Sequence, residues 1–218
     1  MDKQVLEFLS ELKENNNRDW FAENKPRYEN ARSQVLDFVG YLIPEMVMID
    51  DAYAGLNASD CVFRIYRDVR FSKDKSPYKT NFGAYLVPGG KKSNRAGVYL
   101  QIAPGDSFLA GGSYAPPTDI LKKIRSEIYY NIDEFKKIIS TKDFVKNFGE
   151  LRGSKLVRPP VGFPTNFADI ELLKFKDYIV FSKIDDDMIT SPKLTKHILN
   201  LTKIMKPFDD FLNRAIVE

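Results

Sequence analysis

Between residues 61 and 111 the apolar side chains recur at every second position, whereas on either side of that stretch they recur every third or fourth. This change of period constrains the fold more than any other feature, because side chains alternate across a strand but wind around a helix. Residues 61–71, 80–88, 96–103 and 107–111 alternate and are separated by Gly, Pro and Asn. Their short connections predict antiparallel hairpins in a meander of about four strands. A late strand is expected at 178–184 (YIVFSKI), added to the same sheet.

The flanks read as helices. Val5, Phe8, Leu9 and Leu12 place one at about residues 2–14, stopped by Asn15-Asn16-Asn17, since Asn tolerates the conformations that end helices. A helical turn with Trp20 and Phe21 follows. Pro26 then suits the first turn of a helix whose stripe is Tyr28, Ala31, Val35, Phe38, Val39 and Leu42, ending before Pro44. After Pro116-Pro117, Thr118 can cap a helix carrying Leu121, Ile124 and Ile128. Asp133 and Thr141 can cap two short helices, the second closed by Gly149, and Ser191-Pro192 opens a long helix ending near Pro207 with a short helical tail. The reading is one α+β domain over residues 1–218, a mostly antiparallel sheet with helices from both ends of the chain packed on one face.

Scarcity bounds the chemistry. A single cysteine, Cys61, excludes an internal disulfide, and a single histidine, His197, excludes Cys/His metal clusters within one chain. A Ser-His-Asp or Cys-His mechanism would have to use His197, which reads as the surface or boundary of an amphipathic helix. Asp185-Asp186-Asp187 fits no calcium loop, because adjacent carboxylates point in different directions, and it reads as a solvated turn. Pro88-Gly89-Gly90-Lys91-Lys92 lacks the phosphate-loop pattern and reads as a hairpin tip, and Leu109 to Ser113 is no dinucleotide fingerprint. No metal and no cofactor is expected. No apolar run approaches the roughly 20 residues of a membrane span, and the first residues interleave acids with apolar positions, unlike a secretory signal. A soluble protein without a membrane partner, located in the cytoplasm, is the expectation; its oligomeric state is not specified.

Charge marks the candidate site. The segment 61–79, CVFRIYRDVRFSKDKSPYK, holds Arg64, Arg67, Arg70, Lys73, Lys75 and Lys79 against Asp68 and Asp74, a local excess of four positive charges in a chain whose net charge is +3. Concentrated charge costs self-repulsion that a negative partner can offset. The connector at 72–79 also exceeds an ordinary hairpin loop. If Phe63, Ile65, Val69 and Phe71 face the helices with Phe82, Ala84 and Leu86, and with Val98, Leu100 and Ile102, the opposite face carries Arg64, Tyr66, Asp68 and Arg70, then Asn81, Gly83 and Tyr85, then Tyr99 and Gln101. Glycines at 83, 97, 111 and 112 are expected to leave room for something to approach that backbone. A one-residue slip in the first strand would exchange Arg64 and Arg70 for Arg67.

The leading expectation is a binding domain for a phosphorylated or otherwise anionic small molecule, with ligand residues Arg64, Tyr66, Arg67, Arg70, Lys73, Lys75, Tyr78, Lys79, Tyr85 and Tyr99; guanidinium suits phosphate and carboxylate geometry. One alternative is an enzyme in the same pocket with Asp68 or Asp74 as base and Tyr66 or Tyr78 as proton donor. Another is a surface for single-stranded nucleic acid, with Tyr66, Tyr85 and Tyr99 stacking on bases, or for an acidic protein. A solvated outer face and an internal ion-pair network are the plainer readings of the same residues. No spacing in the chain specifies a reaction.

The stretches NNNRDWFAENKPRYE (15–29) and FRIYRDVRFSKDKSPYKTNFGA (63–84) together resemble the family called domain of unknown function 2461. The Gly-Gly pair and following helix at 111–125 and the Pro-x-Gly-Phe segment at 160–163 fit as well, so the resemblance covers nearly the whole chain. The family-like positions are Asn16, Arg18, Trp20, Phe21, Lys25 and Tyr28 in the first stretch. In the second they are Arg64, Arg67, Asp68, Arg70, Phe71, Lys73, Asp74, Lys75, Pro77, Tyr78 and Lys79. Ser113-Tyr114 stands where the family often has an aromatic directly after the Gly-Gly pair. The resemblance implies a single-domain soluble protein and supplies no mechanism.

Overall fold

Val5, Phe8, Leu9 and Leu12 lie on one face of α1 (Lys3–Glu14), and all four are buried. The computed structural model describes residues 1–217. Asn15 ends α1, and Asn17 caps α2 (Arg18–Glu23) by accepting the Trp20 N–H on its side chain. In α3 (Lys25–Val47) Pro26 occupies the first turn, as expected, but the helix does not stop at Pro44. Proline there forfeits one helix hydrogen bond, while Ile43 and Met46 remain buried and hold the last turn in place. A 3-10 turn at Asp51–Tyr53 and the short α4 (Ala58–Cys61) follow.

Residues 62–71 do not form the first expected strand. Only Val62 and Tyr66 make ladder bridges there, to Ala84 and Tyr78. The antiparallel sheet consists, among the described residues, of β1 (Phe82–Leu86), β2 (Gly97–Ile102), β3 (Ser107–Ser113) and β4 (Tyr178–Ile184), in the spatial order β1-β2-β3-β4. The late strand thus completes a meander of three. Between β3 and β4 lie α5 (Thr118–Tyr130), α6 (Ile132–Ile139), α7 (Lys142–Phe148) and α8 (Ile170–Leu173). No side-chain cap forms at Thr118, Asp133 or Thr141, because Pro117 and Asn131 take the first two cap positions and the Thr141 hydroxyl donates to the Ile138 carbonyl instead. Gly149 does close α7, at φ +66°. After β4, α9 (Asp186–Ile189) is capped by the Asp185 side chain, and α10 (Leu194–Val217) runs through Pro207 rather than ending there.

The chain forms two compact units. The first comprises Met1–Leu86, Tyr99–Leu109 and Lys183–Leu199, and the second Val87–Val98, Ala110–Ser182 and Asn200 onward. In the first, a run of aromatic rings joins α1, α2, α3 and β1: Phe8 lies 6.1 Å from Tyr28, Phe21 5.1 Å from Tyr28, and Tyr28 stacks 6.3 Å from Phe82. In the second, Phe135 packs 5.1 Å from Phe211 and 6.2 Å from Phe208, with Phe144 5.7 Å from Phe208. Fully burying a side chain of this size is worth about 1.5–3 kcal/mol, so these clusters anchor each unit.

Two glycines in the second unit are filled by the protein itself, contrary to the expectation that they leave room for a visitor. A Cβ on Gly111 would meet the Met205 thioether at 2.0 Å, and one on Gly112, at φ +106°, would meet the Tyr178 carbonyl oxygen at 2.0 Å. Among the described residues no helix is long and apolar enough to cross a membrane, and no group of three His, Cys, Asp or Glu side chains is placed to hold a metal.

Candidate functional site

Asn16 ties the two most distinctive stretches of the sequence together. Its side-chain amide donates to the Tyr78 carbonyl at 2.9 Å, and its oxygen accepts the Tyr78 N–H at 3.1 Å. The Tyr78 ring stacks on Phe21 with centroids 3.9 Å apart and planes 13° from parallel. Held there, residues 77–79 pair with 65–67: Arg67 N–H donates to the Pro77 carbonyl at 2.9 Å and Lys79 N–H to the Ile65 carbonyl at 2.8 Å. The result is an irregular arch with residues 68–76 at its head.

The head of the arch consumes much of the charge that the sequence displays. Arg67 pairs with Asp74 and donates to the Ser76 carbonyl at 3.1 Å. Arg70 grips Asp68 through Nε at 2.9 Å and Nη2 at 2.6 Å, while Lys75 Nζ donates to the Val69 carbonyl at 3.0 Å. The Ser76 hydroxyl and N–H, and then Arg67, hold the Asp74 carboxyl down to a pKa of about 2. The Arg70 side chain lowers that of Asp68 in the same way. A carboxylate kept below its usual range is a weaker base, so neither is tuned for proton abstraction.

Phe71 sits in the head, not in the core. It is 96% exposed, with the Arg70 guanidinium 5.9 Å from its ring centroid. The alternation that placed it beside Ile65 is not kept, since Val62 and Ile65 are buried and only Val62 and Tyr66 make bridges; after Tyr66 side-chain bonds rather than a ladder shape the backbone. Tyr66 is itself 47% exposed and packs edge-on against Phe21.

At the foot of the arch is a cavity of about 280 Å³ lined by Phe63, Arg64, Lys79, Asn81, Gly83, Tyr99 and Gln101. Phe63 and Arg64 enter the arch, Lys79 and Asn81 leave it, and Gly83 lies in β1. Tyr99 and Gln101 are two apart on β2 and so share a face. The Phe63 N–H is anchored on the Gly83 carbonyl at 2.8 Å. Glycine is needed at 83 because a Cβ would lie 2.6 Å from the Tyr99 hydroxyl; the space expected for a ligand is taken by that phenol.

Tyr99 is held between Phe63 and Phe108, at 6.3 and 5.8 Å. Burial pushes its pKa up, and the interaction with the Asn81 side chain opposes this. Its hydroxyl donates to Gln101 Oε1 at 3.4 Å, and Gln101 Nε2 donates to the Asp106 carbonyl at 3.0 Å. Lys79 Nζ lies 5.2 Å from the Phe63 ring centroid, within range of cation–π attraction. Arg64, exposed at the rim, makes no hydrogen bond or ion pair among the described residues. Its charge contributes to lowering the Asp68 pKa.

Of the ligand residues expected from the sequence, Arg64, Lys79 and Tyr99 therefore meet around one cavity. Tyr66, Arg67, Arg70, Lys73, Lys75 and Tyr78 belong to the arch, and Tyr85 lies on β1; none of these lines the cavity. The expected list omits Phe63, Asn81, Gly83 and Gln101. The signal for the last three is their two-residue spacing from Tyr85 and Tyr99, whereas the same rhythm assigned Phe63 to the opposite face.

Residues 4–211 match the family described as conserved hypothetical protein (DUF2461), and the chain belongs to that family. No curated protein and no solved structure matches it.

Proposed function

We propose that this member of the family binds a small anionic ligand, of the phosphate or carboxylate class, in the cavity lined by Arg64 and Lys79. One observation carries the reading. Arg67 and Arg70 are committed to Asp74 and Asp68, whereas Arg64 lines a cavity and makes no hydrogen bond or ion pair among the described residues. A guanidinium offers a planar fork of donors matched to such anions, and a neighbouring ammonium adds a point charge. Asp68 and Asp74 are locked to arginines outside the cavity lining, which favours binding over carboxylate-based catalysis.

The test is thermal stabilisation by inorganic phosphate, since a ligand that binds the native state raises its melting temperature by mass action. The wild type is expected to show a dose-dependent rise, Arg64→Met to lose it, and Arg70→Ala to retain it. A rise that survives Arg64→Met, or that disappears in Arg70→Ala alone, would move the anion site to the arch and defeat this reading.

A further inference from the structure

The ion pairs at the head of the arch brace it without covering it, and they leave an aromatic and cationic track on the surface. Along the outgoing limb Arg64, Tyr66, Asp68, Arg70 and Phe71 are exposed, whereas Ile65 is buried. Phe71 is 96% exposed and is backed by the Arg70 guanidinium, which is fixed by both oxygens of Asp68. Tyr66 is half exposed, with its ring set against Phe21 at 5.9 Å and Tyr78 at 5.5 Å. Asp68 and Asp74 are each engaged by an arginine, which leaves the charges of Arg64, Lys73 and Lys75 uncompensated. Arg64 and Lys73 make no hydrogen bond or ion pair among the described residues, and Lys75 donates to the Val69 carbonyl. Residues 68–76 form neither helix nor strand.

We propose that this track binds single-stranded nucleic acid, with bases stacking on Phe71 and Tyr66 and phosphates lying at Arg64, Lys73 and Lys75. A single strand is the anionic partner that uses both halves of the surface, since every base has a π-face and every link carries a charge. Both rings are held in place before a partner arrives, so little ordering entropy is lost on binding. A duplex is disfavoured, because an irregular loop offers no helix or β-ribbon to a groove. An anionic membrane is disfavoured for a different reason. Among the described residues Phe71 is the one large apolar side chain exposed in the head, flanked by Arg70, Ser72, Lys73 and Asp74, and a lone apolar anchor gives only marginal membrane binding. An acidic peptide would use the cations and leave the rings idle. The proposal goes beyond the anion-binding reading and shares only Arg64 with it.

The experiment is fluorescence anisotropy of a labelled oligo(dT) of about 12 nucleotides, titrated with the wild type, Phe71→Ser and Lys73→Ala at about 50 and about 200 mM salt. Three phosphate contacts set a slope of about −2 in log affinity against log salt, so wild-type affinity should fall about 15-fold across that range. Phe71→Ser, which removes only an exposed ring, should weaken binding about tenfold at either salt. Lys73→Ala should make the slope shallower by about 0.7. Wild-type affinity in Phe71→Ser overturns the proposal, as does the absence of binding by the wild type. Displacement of the oligonucleotide by poly-glutamate at equal charge concentration would reassign the track to an acidic protein. Capture on phosphatidylserine vesicles without oligonucleotide binding would reassign it to a membrane. Stabilisation by inorganic phosphate depends on Arg64 and is untouched by Phe71→Ser, so the two readings fail separately.

Discussion

Replacing Asn16 probes the joint on which the candidate site is built. Its side chain makes two hydrogen bonds to the backbone of one residue, Tyr78, at 2.9 and 3.1 Å. Each such bond contributes about 0.5–1.5 kcal/mol net, so Asn16→Ala should destabilise the protein by about 1–3 kcal/mol. For a chain of this length that corresponds to a fall in Tm of about 2–12 °C. Asn16→Asp distinguishes geometry from bulk. At neutral pH the new carboxylate still accepts the Tyr78 N–H, but it faces the Tyr78 carbonyl with no proton to give. The loss should be at least as large as for alanine, and it should shrink as the pH falls below about 4, where the carboxyl regains a donor. Urea unfolding followed by Trp20 fluorescence reports the effect where it arises, since Trp20 is the only tryptophan and lies in the helix that Asn17 caps. Changes below about 0.5 kcal/mol for both variants, or an aspartate loss independent of pH, would refute the clamp.

Other residues give equally definite expectations. Asp74, with its pKa lowered from 3.8 to about 2, contributes order to the arch that is present above pH 4 and lost as the pH falls through about 2; the Ser76 amide resonance should follow that titration, and Asp74→Asn should flatten it. Asp209 is fully buried and accepts the Gly112 N–H, and its pKa is raised chiefly by desolvation. Its contribution is therefore present below the carboxyl's ordinary pKa and lost as the pH rises toward the folded-state value, so Asp209→Asn should stabilise at pH 8 and by less at pH 4 in paired denaturation curves. Gly112→Ala combines a positive φ with a 2.0 Å approach to a backbone oxygen, and chemical denaturation should show a loss of more than about 2 kcal/mol. Phe71→Ser, at a side chain 96% exposed, should change stability by less than about 0.5 kcal/mol in the same assay.

The parts of the fold legible in the sequence are those in which one periodicity runs without interruption. Val5, Phe8, Leu9 and Leu12 define α1, and Tyr178 to Ile184 define β4, because each is a single regular face against a core. Proline misleads as punctuation: Pro44 and Pro207 both lie inside helices, where tertiary burial outweighs one lost bond. The segment after Cys61 misleads differently. Its alternation is already broken between Val62 and Tyr66, where Val62 and Ile65 are the buried pair and Phe63 and Arg64 line one cavity, and beyond it salt bridges between close neighbours, Arg70 with Asp68 and Arg67 with Asp74, stand in place of a ladder. Periodicity carries no information about such pairings. The candidate site divides along the same line. Strand parity brings Tyr99, Gln101, Asn81 and Gly83 together correctly, but it cannot show which arginines are already neutralised. It also cannot show that the gap at Gly83 is filled by Tyr99.

Titration of isotope-labelled protein with inorganic phosphate, observed by ¹H–¹⁵N spectra that include side-chain signals, tests the central claim most directly. Saturable shifts at the Arg64 Nε–H and at the side-chain amides of Asn81 and Gln101, with the Arg67 and Arg70 signals stationary, are the result the cavity reading requires. Shifts confined to Arg70, Lys73 and Lys75, or a linear drift without saturation, would contradict it.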